Sequence, residues 1–183
     1  GSITTSLDSV PLLVREGTSS TLGVNNTRIN VHEDSIINAG SGYMETKLCK
    51  NNQVINLRGI PSFEDNVACD NNNIEVSDFN DATKNIETFT STLNTFSIED
   101  STLGSISISD TVSKNSFSFK ESSFNVLTTT TPNTSLKFES MNKLGNIIWN
   151  ATPLASGFNG NIEFTGEYRN TVAAISLKSS VGD

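Results

Sequence analysis

Acidic residues recur at matching positions along the second half of the chain. Four short apolar alternations, which recur at intervals of about 20 residues, are followed by Asp78, Asp100, Glu121 and Glu139. If the chain stacks these segments on one another, the carboxylates form a ladder on its outside. Clustered carboxylates can bind Ca²⁺, and two of them flanking a glycosidic bond can hydrolyse it by general acid–base catalysis. The acidic ladder is therefore a candidate site for an ion or a sugar.

The surroundings of this ladder argue against catalysis. A lyase that acts on acidic sugars needs a basic residue beside its carboxylates, and we expect Arg58 and Arg169 to lie far from the ladder. The only imidazole is in His32-Glu33-Asp34, and adjacent residues of a strand point to opposite faces. We predict no catalytic residue, no metal site and no cofactor, and we interpret the ladder as solvated corner residues that can contact a ligand.

Aromatic side chains that face solvent would strengthen a sugar site, because they stack on the apolar faces of pyranose rings. Tyr43, Trp149 and Tyr168 are the candidates, although Trp149 fits a core position equally well. Hydroxyl rows such as 128–131 suit glycan contacts, but they also suit outward positions on any strand. The predicted binding residues are Tyr43, Asp78, Asp100, Glu121 and Trp149.

The two cysteines, Cys49 and Cys69, are separated by close to one repeat. Neighbouring strands of a sheet lie about 4.8 Å apart, which is within the Cα separations that a disulfide accepts. One interpretation is therefore a disulfide between adjacent coils in an oxidising compartment. The other is a pair of small buried thiols, and the sequence favours neither.

Only a repeating fold can align these residues, and the sequence contains such a repeat. Apolar and polar residues alternate in segments such as 74–78 and 96–100, and a second series of alternations falls between them at a similar spacing. A period of two is typical of a strand with one buried face, and a period of about 20 to 50 residues is typical of solenoids. We predict an all-β fold, a parallel β-solenoid (β-helix) with coils of about 21 residues. In it, Phe96, Phe117 and Phe138 would form an internal aromatic column.

An antiparallel β-sandwich or jelly roll is the main alternative, because closely spaced short strands are also its signature. Asn-Gly turns are typical of hairpins, and Asn159-Gly160 is the only one in the chain, which favours the solenoid. We predict a tag remnant and N-terminal cap over 1–28, a β-solenoid domain over 29–178 and a C-terminal tail over 179–183.

The composition narrows the possible functions of the 183 residues. Twelve Lys and Arg against twenty Asp and Glu give a formal net charge of −8, and this argues against nucleic-acid binding, which needs a basic surface. No apolar run approaches the roughly 20 residues of a membrane-spanning helix, so we expect no membrane insertion. Only 34% of residues are hydrophobic. In a solenoid, the abundant Ser, Thr and Asn would form the outside and the corners.

The segments that begin at Ile74, Phe96, Phe117 and Leu136 resemble coils of right-handed parallel β-helices, which is an architecture rather than one family. Such coils occur in autotransporter and other adhesin passengers, in viral tailspikes and in pectin-lyase-like enzymes. The resemblance implies a non-enzymatic extracellular module, an adhesin or fibre fragment on a cell or virion surface. Its implied partner is a host-surface protein or a glycan.

Recognition on such a rod is expected in irregular insertions, and we predict these at 38–53, 61–73 and 153–161. A carbohydrate-active enzyme, a polysaccharide lyase or hydrolase that uses the acidic ladder, is the alternative function. A purely structural spacer is a further alternative.

Overall fold

The computed structural model shows an all-β chain, with strands as the only regular secondary structure of the residues it describes. Those residues are 2–5, 12–14, 19–22, 27–33, 36–38, 43–63, 69–88, 93–109, 115–131, 133–151, 160–168 and 175–179. Over these ranges, no helix has the length and hydrophobicity that a membrane crossing requires.

Seventeen strands make up the described part of the chain, and all of their pairings are parallel. The first seven are β1 (Ser2–Thr5), β2 (Leu12–Val14), β3 (Ser19–Leu22), β4 (Thr27–Glu33), β5 (Ile36–Asn38), β6 (Tyr43–Lys50) and β7 (Gln53–Phe63). The other ten are β8 (Asn73–Ser77), β9 (Ile86–Glu87), β10 (Thr95–Glu99), β11 (Ser105–Ile108), β12 (Ser116–Lys120), β13 (Val126–Thr129), β14 (Ser135–Glu139), β15 (Asn146–Ala151), β16 (Asn161–Thr165) and β17 (Ile175–Ser179). The parallel order confirms the predicted β-solenoid and is incompatible with an antiparallel sandwich or jelly roll.

Among the described residues, the first coils are short and their strands lie on two sides. Along one side, β1, β3, β5 and the start of β7 pair at a constant interval, and the successive register partners are Ser2, Ser19, Ile36 and Gln53. Along the other side, β2, β4, β6 and the end of β7 pair in the same way. Three of these strands lie in the range 1–28, and the division of the chain between a cap and a solenoid domain stays a prediction.

From β7 onward the coils lengthen, and the described residues of these coils include a third side. β8, β10, β12, β14 and β16 continue the first sheet, which has twelve strands (the long sheet), and β9, β11, β13, β15 and β17 form a separate sheet. Isolated bridges join Asn80, Thr102, Ser123 and Lys143 along the third side. The interval between register partners on β10 and β12 matches the predicted length of a coil. The two interleaved series of the sequence are thus two sides of one coil, as predicted, and the third side is additional.

Aromatic side chains fill the interior of the later coils. Phe96 and Phe117 are register partners whose ring centroids lie 4.1 Å apart with planes 5° from parallel. Phe119 and Phe138 belong to a second stack, with centroids 5.3 Å apart. The first column continues through Leu136, the register partner of Phe117. The prediction that Phe138 continues the column of Phe96 and Phe117 is therefore wrong. Leu136 takes that position, and Phe138 lies two residues farther along β14.

Four buried asparagines (the asparagine ladder) lie immediately before strands of the long sheet: Asn52, Asn72, Asn94 and Asn115. The Oδ1 atoms of Asn72, Asn94 and Asn115 each accept a hydrogen bond of 2.9–3.0 Å from the backbone N–H of the ladder residue one coil earlier. The Nδ2 groups of Asn72 and Asn94 donate to the Cys69 carbonyl oxygen at 3.3 and 3.2 Å. Because buried polar groups cost free energy unless they are paired, the ladder holds this corner in one position from coil to coil.

Candidate functional site

Three residues of the acidic ladder lie at the corners that directly follow β8, β10 and β12 of the long sheet. Asp78, Asp100 and Glu121 are found there with positive φ angles of 52°, 50° and 49°. Ser140, with a φ of 47°, occupies the next equivalent position, whereas Glu139 is the last residue of β14. The inclusion of Glu139 in the ladder is therefore wrong by one position, and the chain has a hydroxyl at that step.

Hydrogen bonds between coils fix the geometry of this acidic corner. The N–H of Asp100 donates to the Lys120 carbonyl oxygen at 3.1 Å. The next residues, Ser101 and Ser122, are buried, and the Ser101 N–H donates to Ser122 Oγ at 3.1 Å. Asp100 and Glu121 thus take a left-handed conformation between a strand and a buried serine, and Asp78 takes it before the buried Phe79. L-residues adopt this region only rarely.

A β-branched residue at this corner should destabilise the solenoid. The left-handed conformation costs an L-residue about 1–2 kcal/mol, and a branched Cβ makes φ > 0 a marked outlier. We expect Glu121→Val to lower the free energy of unfolding by about 1–2 kcal/mol relative to Glu121→Gly, because glycine adopts this conformation without that penalty. Guanidinium unfolding followed by circular dichroism measures the difference. Equal stability of the two variants would contradict the assigned φ of 49°.

Three carboxylates converge at the acidic corner. Glu99, Asp100 and Glu121 each place an oxygen within 4.8 Å of the other two, and all three residues are exposed. Lys120 Nζ lies 3.6 Å from Glu99 Oε1. The carboxylate of Glu99, followed in effect by Glu139 and Glu121, raises the pKa of Lys120 above its ordinary value. The ammonium group is held in its charged form and offsets part of the negative charge of the cluster.

Arg58 also reaches the acidic corner, and the expectation that it lies far from the ladder is wrong. Its Nη2 lies 3.4 Å from Asp78 Oδ2, and both side chains are about half exposed. β7 and β8 are neighbours in the long sheet, so that residues one coil apart in sequence meet in space. An exposed pair of this kind adds little stability. Its effect is to place a guanidinium donor at one end of a row of carboxylate acceptors.

A shallow groove of about 200 Å³ (the outer groove) lies on the outward face of the long sheet. Its polar lining comes from Thr95, Ser116, Ser118, Ser135, Lys137, Asn161 and Glu163. These residues belong to β10, β12, β14 and β16. The buried side chains of Phe96, Phe117 and Leu136 form the floor beneath this part of the sheet. The rigid apolar core thus holds a polar surface at fixed strand spacing.

The polar side chains of the outer groove fall into two rows of register partners. In one row, Ser135 Oγ donates a hydrogen bond to Asn161 Oδ1. The other row contains Ser118, Lys137 and Glu163. Among the residues that the structure describes, no hydrogen bond or ion pair engages these three side chains. A hydroxyl, an ammonium and a carboxylate are therefore available to a ligand in the groove.

None of the three aromatic candidates is among the described residues that line this groove. Tyr168 is partly buried, and its hydroxyl donates to the Phe138 carbonyl oxygen at 2.6 Å. Trp149 is in the core with 5% of its surface exposed, and its Nε1 donates to the Thr131 carbonyl oxygen at 2.8 Å. Of the two interpretations of Trp149, the structure shows the core position, which removes this indole from a surface sugar site. Tyr43 begins β6 as the register partner of Arg58. The side chain of Tyr43 lies outside what the structure describes.

The two cysteines lie at corresponding points of successive coils. Asn51 and Asn71, each two positions beyond a cysteine, are joined by a hydrogen bond of 2.9 Å from Nδ2 of Asn71 to Oδ1 of Asn51. The Cys69 side chain is buried, and the side chain of Cys49 lies outside the described residues. The disulfide between them stays a prediction.

The predicted insertions are located differently in the structure. The range 38–53 contains β6 and the first residue of β7, so its prediction as an irregular insertion is wrong. In the range 61–73, the first three residues belong to β7, the last begins β8 and 64–68 lie outside the described residues; in the range 153–161, residues 153–159 lie outside them. The outer groove was not predicted, although a signal exists in the sequence. Its lining residues are the polar positions of the same alternations whose apolar positions define the core.

The fold and these two surfaces define the chain as a parallel β-solenoid with an acidic corner and a polar outer groove. Comparison with protein-family models, with curated proteins and with solved structures finds no match to this chain. Its function must therefore be inferred from the two surfaces themselves.

Proposed function

We propose that this chain is a non-enzymatic, surface-exposed module, an adhesin or fibre fragment, that binds a glycan in the outer groove. The observation that supports this best is the row of unengaged polar side chains formed by Ser118, Lys137 and Glu163 over a rigid core. Sugars present many hydroxyl groups, and these hydrogen-bond to donors and acceptors of this kind. The recognition surface is then the outward face of the long sheet rather than the irregular insertions.

The architecture is consistent with an extracellular location on a cell or virion. Stacked coils give a rod whose length grows with the number of repeats, and each coil contacts mainly its neighbours. Such a rod can hold a binding face away from the surface to which it is attached. A glycan of a host surface is the proposed partner, and a host protein is the alternative partner.

Replacement of Lys137 should weaken glycan binding. A hydrogen bond from a charged donor contributes about 1.5–3 kcal/mol, so we expect Lys137→Ala to raise the Kd by roughly tenfold or more. A glycan array identifies the ligand, and isothermal titration with that glycan measures the affinity of each variant. Lys143→Ala is the matched control, because Lys143 is exposed on the third side of the coil and contacts Asn125 there.

Two results would contradict this proposal. If no glycan binds, the structural spacer becomes the better description of the chain. If Lys137→Ala binds as tightly as the unmodified chain, the ligand does not occupy the outer groove.

A polysaccharide lyase or hydrolase is the second candidate, and the convergence of Glu99, Asp100 and Glu121 within 4.8 Å favours it. Paired carboxylates are the usual catalytic groups of glycoside hydrolysis. The same glycan mixtures distinguish the two functions. Release of reducing ends or unsaturated products that Glu121→Gln abolishes would establish an enzyme and overturn the binding module.

A further inference from the structure

The outer groove repeats along the axis of the solenoid. Thr95, Ser116, Ser135 and Asn161 are successive register partners on four neighbouring strands. Neighbouring strands lie about 4.8 Å apart, so the groove offers an equivalent polar position at that interval. A linear polymer with a repeat of similar length can make a similar contact at each strand. A sugar chain in an extended conformation is such a polymer.

The charges around the groove disfavour an acidic ligand. Four glutamates lie on the outward face of the long sheet. Glu75 and Glu163 are in the row of register partners that contains Lys137, and Glu99 and Glu139 are in the next row, with Lys120. Lys120 is 3.6 Å from Glu99, so its charge is already offset. The acidic corner adds further carboxylates beside the sheet. Like charges brought together at an interface cost free energy and suppress the wrong partners.

The lining also indicates how the ligand is held. Hydroxyl, amide, ammonium and carboxylate groups make up the polar lining of the groove, and its aromatic residues, Phe96 and Phe117, are buried under the sheet. Hydrogen bonds to sugar hydroxyls, rather than ring stacking, would therefore supply the contacts. Neutral or cationic sugars satisfy these groups without adding a further negative charge.

We infer that the outer groove binds a linear, non-acidic glycan that runs parallel to the solenoid axis, with one sugar residue for each strand. This inference rests on the proposed function, because it names the class of glycan for the same groove. It differs from a pectin-type specificity, in which the ligand is a polymer of acidic sugars. Four strands line the groove, so a segment of four sugars fills it.

The inference is tested with three series of linear oligosaccharides of two to six sugars. These are neutral β-linked glucose oligomers, acidic galacturonic acid oligomers and cationic glucosamine oligomers, each titrated calorimetrically into the whole chain. For the neutral series we expect the Kd to fall with each added sugar up to four and then to level. For the acidic series we expect a Kd at least about tenfold higher at equal length, with the difference shrinking in high salt.

Glu139→Gln supplies a second readout. Glu139 lies beside the groove but does not line it. The substitution removes one negative charge, so it should lower the Kd for the acidic oligomers several-fold and leave the Kd of the neutral oligomers unchanged. Tighter binding of the acidic series than of the neutral series, or a Kd that does not depend on length, would overturn the inference while leaving glycan binding intact, whereas tight binding of the cationic series would agree with it. Binding of no glycan on a broad array would overturn the proposed function instead.

Discussion

Asn94→Ala should destabilise the solenoid by about 2–5 kcal/mol, because it removes a buried amide from the centre of the asparagine ladder. Asn94 Oδ1 accepts hydrogen bonds from both the N–H and the Nδ2 of Asn72, at 2.9 and 3.0 Å. Its Nδ2 donates to the Cys69 carbonyl oxygen at 3.2 Å. Alanine removes the acceptor of the buried Asn72 N–H and one of the acceptors of its Nδ2, which keeps the Cys69 carbonyl oxygen. An unsatisfied buried group costs about 1–3 kcal/mol, and each hydrogen bond lost elsewhere adds about 1 kcal/mol.

Guanidinium unfolding followed by far-UV circular dichroism measures this loss, and Asn73→Ala is its matched control. Asn73 is the same residue type one position beyond the ladder, exposed at the start of β8. We expect Asn73→Ala to change stability by no more than about 0.5 kcal/mol. If the two alanine variants are equally stable, the ladder does not hold the corner of the coil.

Phe138→Ala should destabilise the chain by about 3–5 kcal/mol, because it leaves a large cavity in the aromatic core. Phe138 has no exposed surface. Its ring centroid lies 5.3 Å from that of Phe119, 5.7 Å from that of Phe124 and 5.3 Å from that of Phe164. Because each coil of a solenoid contacts mainly its neighbours, we also expect the substitution to speed amide hydrogen exchange, relative to the unmodified chain, more in β14 and β16 than in β8.

Phe164→Ala is the internal control for this second prediction. Phe164 continues the same stack on β16 but is 41% exposed, so its replacement removes less buried surface. We expect its cost to be less than that of Phe138→Ala by a factor of about two, since stabilisation follows the apolar area buried. A larger loss for Phe164→Ala would mean that the register between β14 and β16 is incorrect.

The solenoid could be predicted because its two strongest signals are local and periodic. Alternating residues such as Phe96 and Ile98 mark one buried face of a strand, and the spacing to Phe117 gives the length of a coil. The third side could not be found in this way. It is made of single bridges, such as that between Thr102 and Ser123, and a side without a full strand has no alternation to detect.

The candidate site was only partly predictable, for physical reasons that differ between its parts. The corner that contains Asp100 and Glu121 follows the strands directly, so its alignment could be expected from spacing. The contact between Arg58 and Asp78 could not, because a register shift between Val54 and Leu57 of β7 changes the pairing at that step. The asparagine ladder could not be predicted either. Asparagine is common throughout this chain, and the sequence alone does not distinguish the buried Asn94 from the exposed asparagines.

The first coils were also beyond the sequence signal. Their repeat, given by the register partners Ser2, Ser19 and Ile36, is shorter than that of the later coils. β7 also supplies strands to both sides without a break. A search for one constant period therefore detects the later coils and misses these. A change of coil length with a continuous parallel sheet is possible because the sheet constrains only the strands, and the corners absorb the difference.

Amide chemical-shift mapping tests most directly whether the outer face of the long sheet binds the ligand. The ¹⁵N-labelled chain would be titrated with a neutral linear glucose oligomer and observed by NMR. We expect the perturbed amides to cluster on β10, β12, β14 and β16, around Ser118 and Lys137. Binding on this face would be contradicted if the perturbed amides are confined to the acidic corner at Asp100 and Glu121. It would also be contradicted if no amide of the sheet shows a shift that saturates with added oligomer.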